Sequence, residues 1–325
     1  MPLVHIAVEG CCHGELDAIY STIEYIQTEK STPIELLLVC GDFECIRDSV
    51  DLACVAVPSK YRKLTGFDDY VSGRKRAPVL TIFVGGNHEA SNVLYELYYG
   101  GWVAPNIYFL GFGGVVNYRG IRIGGLSGIY NARHYRMGHF ETPPFSDDSM
   151  RSVYHVRELE VYRMAHMSPS RSATSKNTDI FLSHDWPANV WKHGDCQGLL
   201  RKKKFLAEDI NSNRLGSPPL QALLEELRPS FWFAAHLHVK FAAIVPHYPR
   251  PGAASAGTAD KEPTHTKFLA LDKVIPGRDF LQVFSLPNGD DCPGVLQYDP
   301  EWLAVVRRTH GLLSTSRGRV EVPAE

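Results

Sequence analysis

A layered α/β fold is predicted for this chain by three observations. Apolar runs alternate with helical stretches through residues 1–130. Glycine-containing turns close the runs. Five runs end in short motifs carrying Cys, His, Asp or Asn, at the place where an open α/β sheet builds its sites.

The elements follow in order. "LVHIAVEG" predicts a strand, "ELDAIYSTIEYIQTEK" a helix and "IELLLVCGD" a second strand. "APVLTIFVGGN" predicts a third strand, followed by helical "ASNVLYELYYGG". "NIYFLGFGGVVNYRGIRIGGLSG" reads as short strands joined by glycine turns. Strands return at "TDIFLSHDWP", "PSFWFAAHLHVKFAAIV" and "TKFLALDK", and no internal repeat occurs. Residues 131–155 carry no clean period and two adjacent prolines, which predicts a long functional loop. Residues 247–265, small, polar and Pro/Gly-rich, predict a flexible excursion between strands. The stretch "LSTSRGRVEVPAE" lacks a hydrophobic pattern and is expected to fray.

Composition narrows the classes. In 325 residues, 44% are hydrophobic and 22% charged, enough apolar material for a real core. The formal net charge is −2, so any nucleic-acid binding must rest on a local patch. No apolar run is long enough to predict a membrane span. "MPLVHIAVEG" reads as a strand rather than a signal peptide. The cysteines stand at 11, 12, 40, 45, 54, 196 and 292. An odd number at irregular spacing predicts free thiols and a reducing compartment. Adjacent Cys11 and Cys12 are poorly placed to pair with each other.

The motifs are "GCCHG" (10–14), "CGDFE" (40–44), "GGNHE" (85–89), "SHDWP" (183–187) and "AHLH" (235–238). Taken singly, each has an ordinary reading as a turn, a cap or a buried histidine. Taken together, they are not what a core requires, and they predict a metal site. On a strand, residues i and i+2 share a face, so Cys11 with His13, and His236 with His238, can reach one point. By the same alternation Cys12 faces away, into the core. Two ions about 3.5–4 Å apart would use a bridging carboxylate, and Asp42 is the natural bridge.

The order of these motifs resembles the calcineurin-like metallophosphoesterase superfamily, with Cys11 where an aspartate usually stands and Ala235 in place of a glycine. "GGNHEASN", "GGLSGIY", "SHDWP", "LGSPP", "AHLHVKFAA", "TKFLALDK" and "YDPEWL" resemble the RNA lariat debranching enzymes. The resemblance runs from about residue 3 to about residue 303. It implies a layered β-sandwich flanked by helices, with an inserted recognition loop at 131–155. It implies a catalytic domain over 1–290 and a C-terminal extension over 291–325. One ion site is then Cys11, His13, Asp42 and His238, and the other Asp42, Asn87, His184 and His236. His88 would serve the leaving oxygen.

The implied reaction is metal-dependent hydrolysis of the 2′-5′ phosphodiester at the branch point of excised intron lariat RNA. The implied cofactors are one or two divalent ions, and a soft sulfur at position 11 favours Fe²⁺ or Zn²⁺ over Mg²⁺ or Mn²⁺ there; Mn²⁺ remains a candidate for the site as a whole. Branched RNA is read by stacking and by contacts to base edges. Ser127, Tyr130, Arg133, His134, Tyr135, Arg136, His139 and Phe140 are the candidate substrate contacts. The basic run "RKKK" (201–204) is a candidate phosphate contact or nuclear import signal. The expected setting is a nuclear monomer with no DNA or membrane partner.

Overall fold

The fold is given by a computed structural model that describes residues 3–171, 176–249, 264–288 and 294–323. The strands are β1 (Leu3–Glu9), β2 (Leu36–Val39), β3 (Leu80–Phe83), β4 (Gly101–Ala104), β5 (Ile107–Phe109), β6 (Gly113–Tyr118) and β7 (Ile121–Leu126). They continue with β8 (Ile180–Ser183), β9 (Phe231–Ala234), β10 (Phe241–Pro246), β11 (His265–Ala270), β12 (Leu281–Pro287) and β13 (Leu296–Tyr298). One sheet runs β12-β1-β2-β3-β5-β4, the other β10-β11-β9-β8-β7-β6-β13. The layered sandwich flanked by helices implied by the family resemblance is the fold observed.

Alternation along β1 shows how the layers form. Val4, Ile6 and Val8 point between the sheets, where they meet Leu36, Leu38, Ile82, Ile123, Ile180 and Leu182. Ala7 points outward into a second cluster, with Leu37, Phe83 and the helix Leu16–Lys30. That helix offers Leu16, Ile19, Tyr20 and Ile23 on one face, the spacing an amphipathic helix needs. A third cluster lies outside the other sheet, where Phe181 and Trp232 meet Leu220, Leu223 and Leu224 of the helix Pro218–Leu227. β2 is buried along its whole length, as a central parallel strand covered on both faces must be. Among the described residues no helix is long and apolar enough to cross a membrane.

Several expectations need correction. The helix after β3 is only Ser91–Glu96. The run 229–245 is not one strand: β9 and β10 are separated by the histidine-bearing turn 235–240. The C-terminal stretch does not fray within the described residues. Ser314 and Ser316 carbonyls accept from His139 N–H (2.8 Å) and Gly138 N–H (2.9 Å), and Val320 N–H donates to the Arg136 carbonyl (2.8 Å). The predicted excursion 247–265 falls mostly outside the described residues. The six cysteines among the described residues are free.

Asp299 ties the C-terminal helix to the sandwich. Its carboxylate caps the helix Pro300–Thr309 by accepting from Trp302 N–H (2.9 Å). It also accepts two bonds from Arg122 of β7, both 2.9 Å. Burial acts to raise the Asp299 pKa, but the Arg122 guanidinium, Trp302 N–H and Asn117 hold it below the usual carboxylate value. Its stabilisation is therefore complete above the unfolded carboxylate pKa and is lost as pH falls through the depressed folded value, below about pH 4. Asp299→Ala is expected to cost about 3 kcal/mol in denaturant unfolding at neutral pH and to flatten the acid limb of stability. An unchanged acid limb would show that the pair does not anchor the helix.

Candidate metal centre

β1, β2 and β3 are parallel neighbours, as are β8 and β9. Their carboxyl ends carry the five motifs to one edge of the sandwich. Cys11, His13, Asp42 and His238 offer ligand atoms all within 4.8 Å of one another. His13 Nε2 lies 3.2 Å from His238 Nε2 and 3.6 Å from Asp42 Oδ2. On the far side of Asp42, His184 Nε2 is 3.3 Å from Asp42 Oδ1 and 3.2 Å from Asn87 Oδ1. The His236 ring lies beside that of His184, with centroids 4.9 Å apart, and its backbone N–H donates to Cys11 Sγ (3.2 Å).

The side chains converge by backbone turns rather than by strand alternation. β1 ends at Glu9, and His13 has a φ of 47°. Asp42 (47°), Glu44 (60°), His236 (63°) and His238 (48°) are also left-handed. Each such residue costs about 1–3 kcal/mol, and this kind of strain gathers where function requires it. Two glycines allow the close approach. A Cβ on Gly86 would strike Asp42, and one on Gly41, itself at φ 109°, would strike the His184 ring.

Two of the histidines are oriented through their far nitrogens. His184 Nδ1 donates to the Cys40 carbonyl (2.8 Å), and His13 Nδ1 to Glu44 Oε1 (3.1 Å). Each bond turns Nε2 toward the cluster, as outer partners of metal-binding imidazoles do. Burial, then the His13 and Lys273 charges, lower His238 to about 3, so its ring is neutral at ordinary pH. Burial lowers His236 as well, helped by His184. Burial pushes the Cys11 thiol well up, and the Asp42 and Glu9 charges add to it. Asp42 is fully buried, yet the His184, His88 and His13 charges hold its carboxyl well below the usual range. Ring nitrogens, a sulfur and carboxylate and amide oxygens aimed at one place are the donor set of a divalent cation. The residues present fit such an ion.

Three acidic residues of the motifs had no assigned role in the sequence. Glu89 accepts from Gly86 N–H (2.9 Å), Phe43 N–H (2.7 Å) and Glu44 N–H (2.8 Å). One buried carboxylate thus joins the loop carrying Asp42 to the loop carrying Asn87 and His88. Glu44 orients His13. Asp185 accepts from Tyr130 N–H (3.2 Å) and joins the residue just before loop 131–155 to the strand end that carries His184. The glutamates of "GGNHE" and "CGDFE" were the available signal.

His88 stands at the mouth. Its backbone N–H is fixed on Asp42 Oδ1 (3.0 Å), and its half-buried ring lies edge-on to His13, with centroids 5.1 Å apart. Loop 131–155 approaches from the His184 side. Arg133 and Arg136 are exposed, while Tyr130, His134, Tyr135 and Phe140 are half-buried. His134 is turned toward His155 (Nδ1 to Nδ1 2.8 Å). Tyr130 and Tyr135 pack edge to face.

Two candidate substrate contacts face inward instead. Ser127 Oγ accepts from Gly85 N–H (2.8 Å) and donates to the Gly111 carbonyl (2.5 Å). His139 is buried against Tyr98 and Phe112 and bonded to Glu160 (3.1 Å). Neither offers a free group to a ligand, because a buried polar atom must find its partner inside the protein. The loop is pinned by Arg157, which the sequence did not single out. Its guanidinium donates to Glu141 (2.7 Å) and to the carbonyls of Gly138, Ser152 and His155 (3.1–3.2 Å).

Two packed sheets with this cluster at their strand ends define the metallophosphoesterase class. Residues 4–240 match the calcineurin-like phosphoesterase family, and residues 263–325 match the C-terminal domain of lariat debranching enzymes. The chain is 51% identical to lariat debranching enzyme A of Xenopus laevis over 318 residues, which is 98% of this chain and 57% of that one. It is 50% identical to the lariat debranching enzyme of Homo sapiens over 313 residues, covering 96% of this chain and 55% of the other. With the enzyme of Arabidopsis thaliana the identity is 48% over 312 residues, covering 96% and 70%. The chain belongs to the lariat debranching enzyme family of calcineurin-like phosphoesterases. It spans somewhat over half the length of the vertebrate relatives it matches.

Glu89→Gln tests the join between the loops. An amide can accept only through its one oxygen, so its NH₂ would face a buried N–H. We expect unfolding free energy to fall by about 1–3 kcal/mol and purified protein to retain less metal. Unchanged stability and metal content would remove Glu89 from the scaffold of the site.

Proposed function

We propose that the chain hydrolyses the 2′-5′ phosphodiester at the branch point of lariat RNA. The reading assigns divalent cations to Cys11, His13, Asp42, Asn87, His184, His236 and His238. The observation that carries it is the convergence of these seven side chains and His88 at one edge of the sandwich, in a chain of this family. When bound, such cations polarise phosphoryl oxygens and activate water.

The protein's own groups supply the rest. Asp42 lies between the two halves of the donor set and faces both. Glu44, through His13, and the Cys40 carbonyl, through His184, hold the rings in the orientation that points Nε2 into the donor cluster. The His88 ring makes no hydrogen bond among the described residues, so it is available to a substrate. In this reading it gives a proton to the departing 2′ oxygen or stabilises charge there. Water adds to phosphorus as the bond to that oxygen breaks. The products are a linear RNA keeping the 5′ phosphate and a free 2′ hydroxyl.

The exposed guanidinium groups of Arg133 and Arg136, with the half-buried aromatic rings beside them, suit an unpaired RNA segment. The same reading includes a monomer resident in the nucleus, for which exposed Arg201, Lys202 and Lys204 offer a basic patch. For the working ion it favours Fe²⁺ or Zn²⁺, on the softness of Cys11.

The test uses metal-stripped protein and synthetic branched RNA, with Fe²⁺, Zn²⁺, Mn²⁺ and Mg²⁺ restored singly and iron handled anaerobically. Cleavage confined to the 2′-5′ bond is expected, with kcat lowered roughly 10²–10⁴-fold in His88→Ala. Turnover of linear 3′-5′ RNA, or of a generic diester only, would overturn the substrate while leaving the phosphoesterase. A Cys11→Asp variant should shift the preferred ion toward Mn²⁺ or Mg²⁺. An unchanged metal profile would show that sulfur does not set the preference.

A further inference from the structure

The sequence demands that RNA binding rest on a local cationic patch, and loop 131–155 supplies cations on one side of the site only. The other side carries a second group. Lys273 follows the strand β11 and forms an isolated bridge with Cys11, while Cys11 N–H donates to the Asp272 carbonyl (3.4 Å). Lys273 therefore stands directly beside the donor cluster, on its Cys11–His238 flank. Lys203 ends the helix Cys196–Lys202, and the charge of Lys273 acts on it. Of the run 201–204, only Lys203 is half-buried; its three neighbours are exposed.

Charge accounting singles out these two lysines. Arg278 is paired with Asp272 (3.5 Å) and Lys240 with Asp279 (3.1 Å). Lys203 and Lys273 form no ion pair among the described residues. Partial burial lowers the Lys203 pKa, and Arg278 and Lys273 lower it further against the opposing charge of Asp272. The Lys273 and Lys203 charges also act on His238. Three cations, Lys203, Lys273 and Arg278, thus share the one carboxylate of Asp272, and the surplus positive charge at half-buried positions is destabilising by itself. An anion laid across them removes that cost.

We propose that Lys203 and Lys273 form a subsite for a backbone phosphate of single-stranded RNA, next to the scissile one and opposite loop 131–155. The assignment of the ligand as RNA rests on the debranching reading. A branch point has limbs leaving in different directions, and the subsite gives one of them a place that the loop does not provide. It also divides the basic run by function: half-buried Lys203, whose charge reaches His238, serves the subsite, and the other three residues are exposed.

The experiment is binding of fluorescent branched RNA, and of a linear single-stranded RNA, to the metal-loaded His88→Ala protein by anisotropy over a range of salt. Each phosphate contact on a single strand contributes about 0.7 to the slope of log K against log salt. The Lys203→Ala, Lys273→Ala double change is expected to weaken both RNAs about tenfold and to reduce the salt slope by about 1. Lys202→Ala is the control and should match the parent. Lys273→Arg keeps the charge and should bind like the parent; a loss there would place the effect in the metal site and overturn the subsite. Affinity and slope in the double variant equal to those of Lys202→Ala would also overturn it. If the wild-type chain fails to cleave branched RNA yet the double variant loses slope on linear RNA, the subsite stands and the debranching reading falls.

Discussion

A buried carboxylate is expensive in a protein interior, and the site is built around one. Asp42 is 1% exposed, one oxygen facing His13 and the other His184 and the backbone N–H of His88. An unpaired charge there would destabilise the fold strongly. Every neighbouring choice answers that constraint. Gly41 and Gly86 remove side chains that would block approach to it. Glu89, fixed by three backbone N–H groups, keeps the two flanking loops in register. The rings around Asp42 are oriented by bonds on their far nitrogens. The sandwich contributes the parallel strands that bring five separate loops to this point, and its buried, interdigitated layers keep them there.

That constraint also explains the strain. Strand alternation would send successive side chains to opposite sides of a sheet, yet the donors must meet in a volume a few ångströms across. Left-handed turns at His13, Asp42, His236 and His238 solve the geometry. Their cost is met by the packing of the two sheets. The chain retains those conformations because the surrounding cores are large and closely filled.

How much of this was legible in the sequence depends on the range of the interaction. The donor types are written at the strand ends, so Cys11, His13, Asp42, Asn87, His88, His184, His236 and His238 could be picked out, and the structure gathers them. The turns that unite them were not legible, since alternation gave a plausible but different reason for their convergence. Ser127 and His139 show the limit for loop residues. A serine or histidine near a site reads the same whether it faces solvent or a buried carbonyl. The Arg157–Glu141 clamp and the Ser314–His139 and Ser316–Gly138 bonds join segments whose pairing leaves no local pattern. For that reason the C-terminal stretch read as loose, although its backbone is used to order the loop.

That ordering bears on recognition. In the proposed function the loop meets branched RNA, which is flexible, and a flexible loop would lose conformational freedom on both sides of that contact. Here the loop is held before any ligand arrives. Arg157 sits beneath it with its donors satisfied by one carboxylate and three carbonyls, and His139 is locked among Tyr98, Phe112 and Glu160. The C-terminal segment lies along its edge, with Arg317 over the Phe140 ring at 5.0 Å. The groups left facing outward, Arg133 and Arg136, are therefore mounted on a rigid base rather than on a tether. A chain with a net charge of −2 has no general attraction for a polyanion. It can bind one only where a few cations are held in fixed places, and in the proposed function the buried clamp under the loop fixes two of them, Arg133 and Arg136.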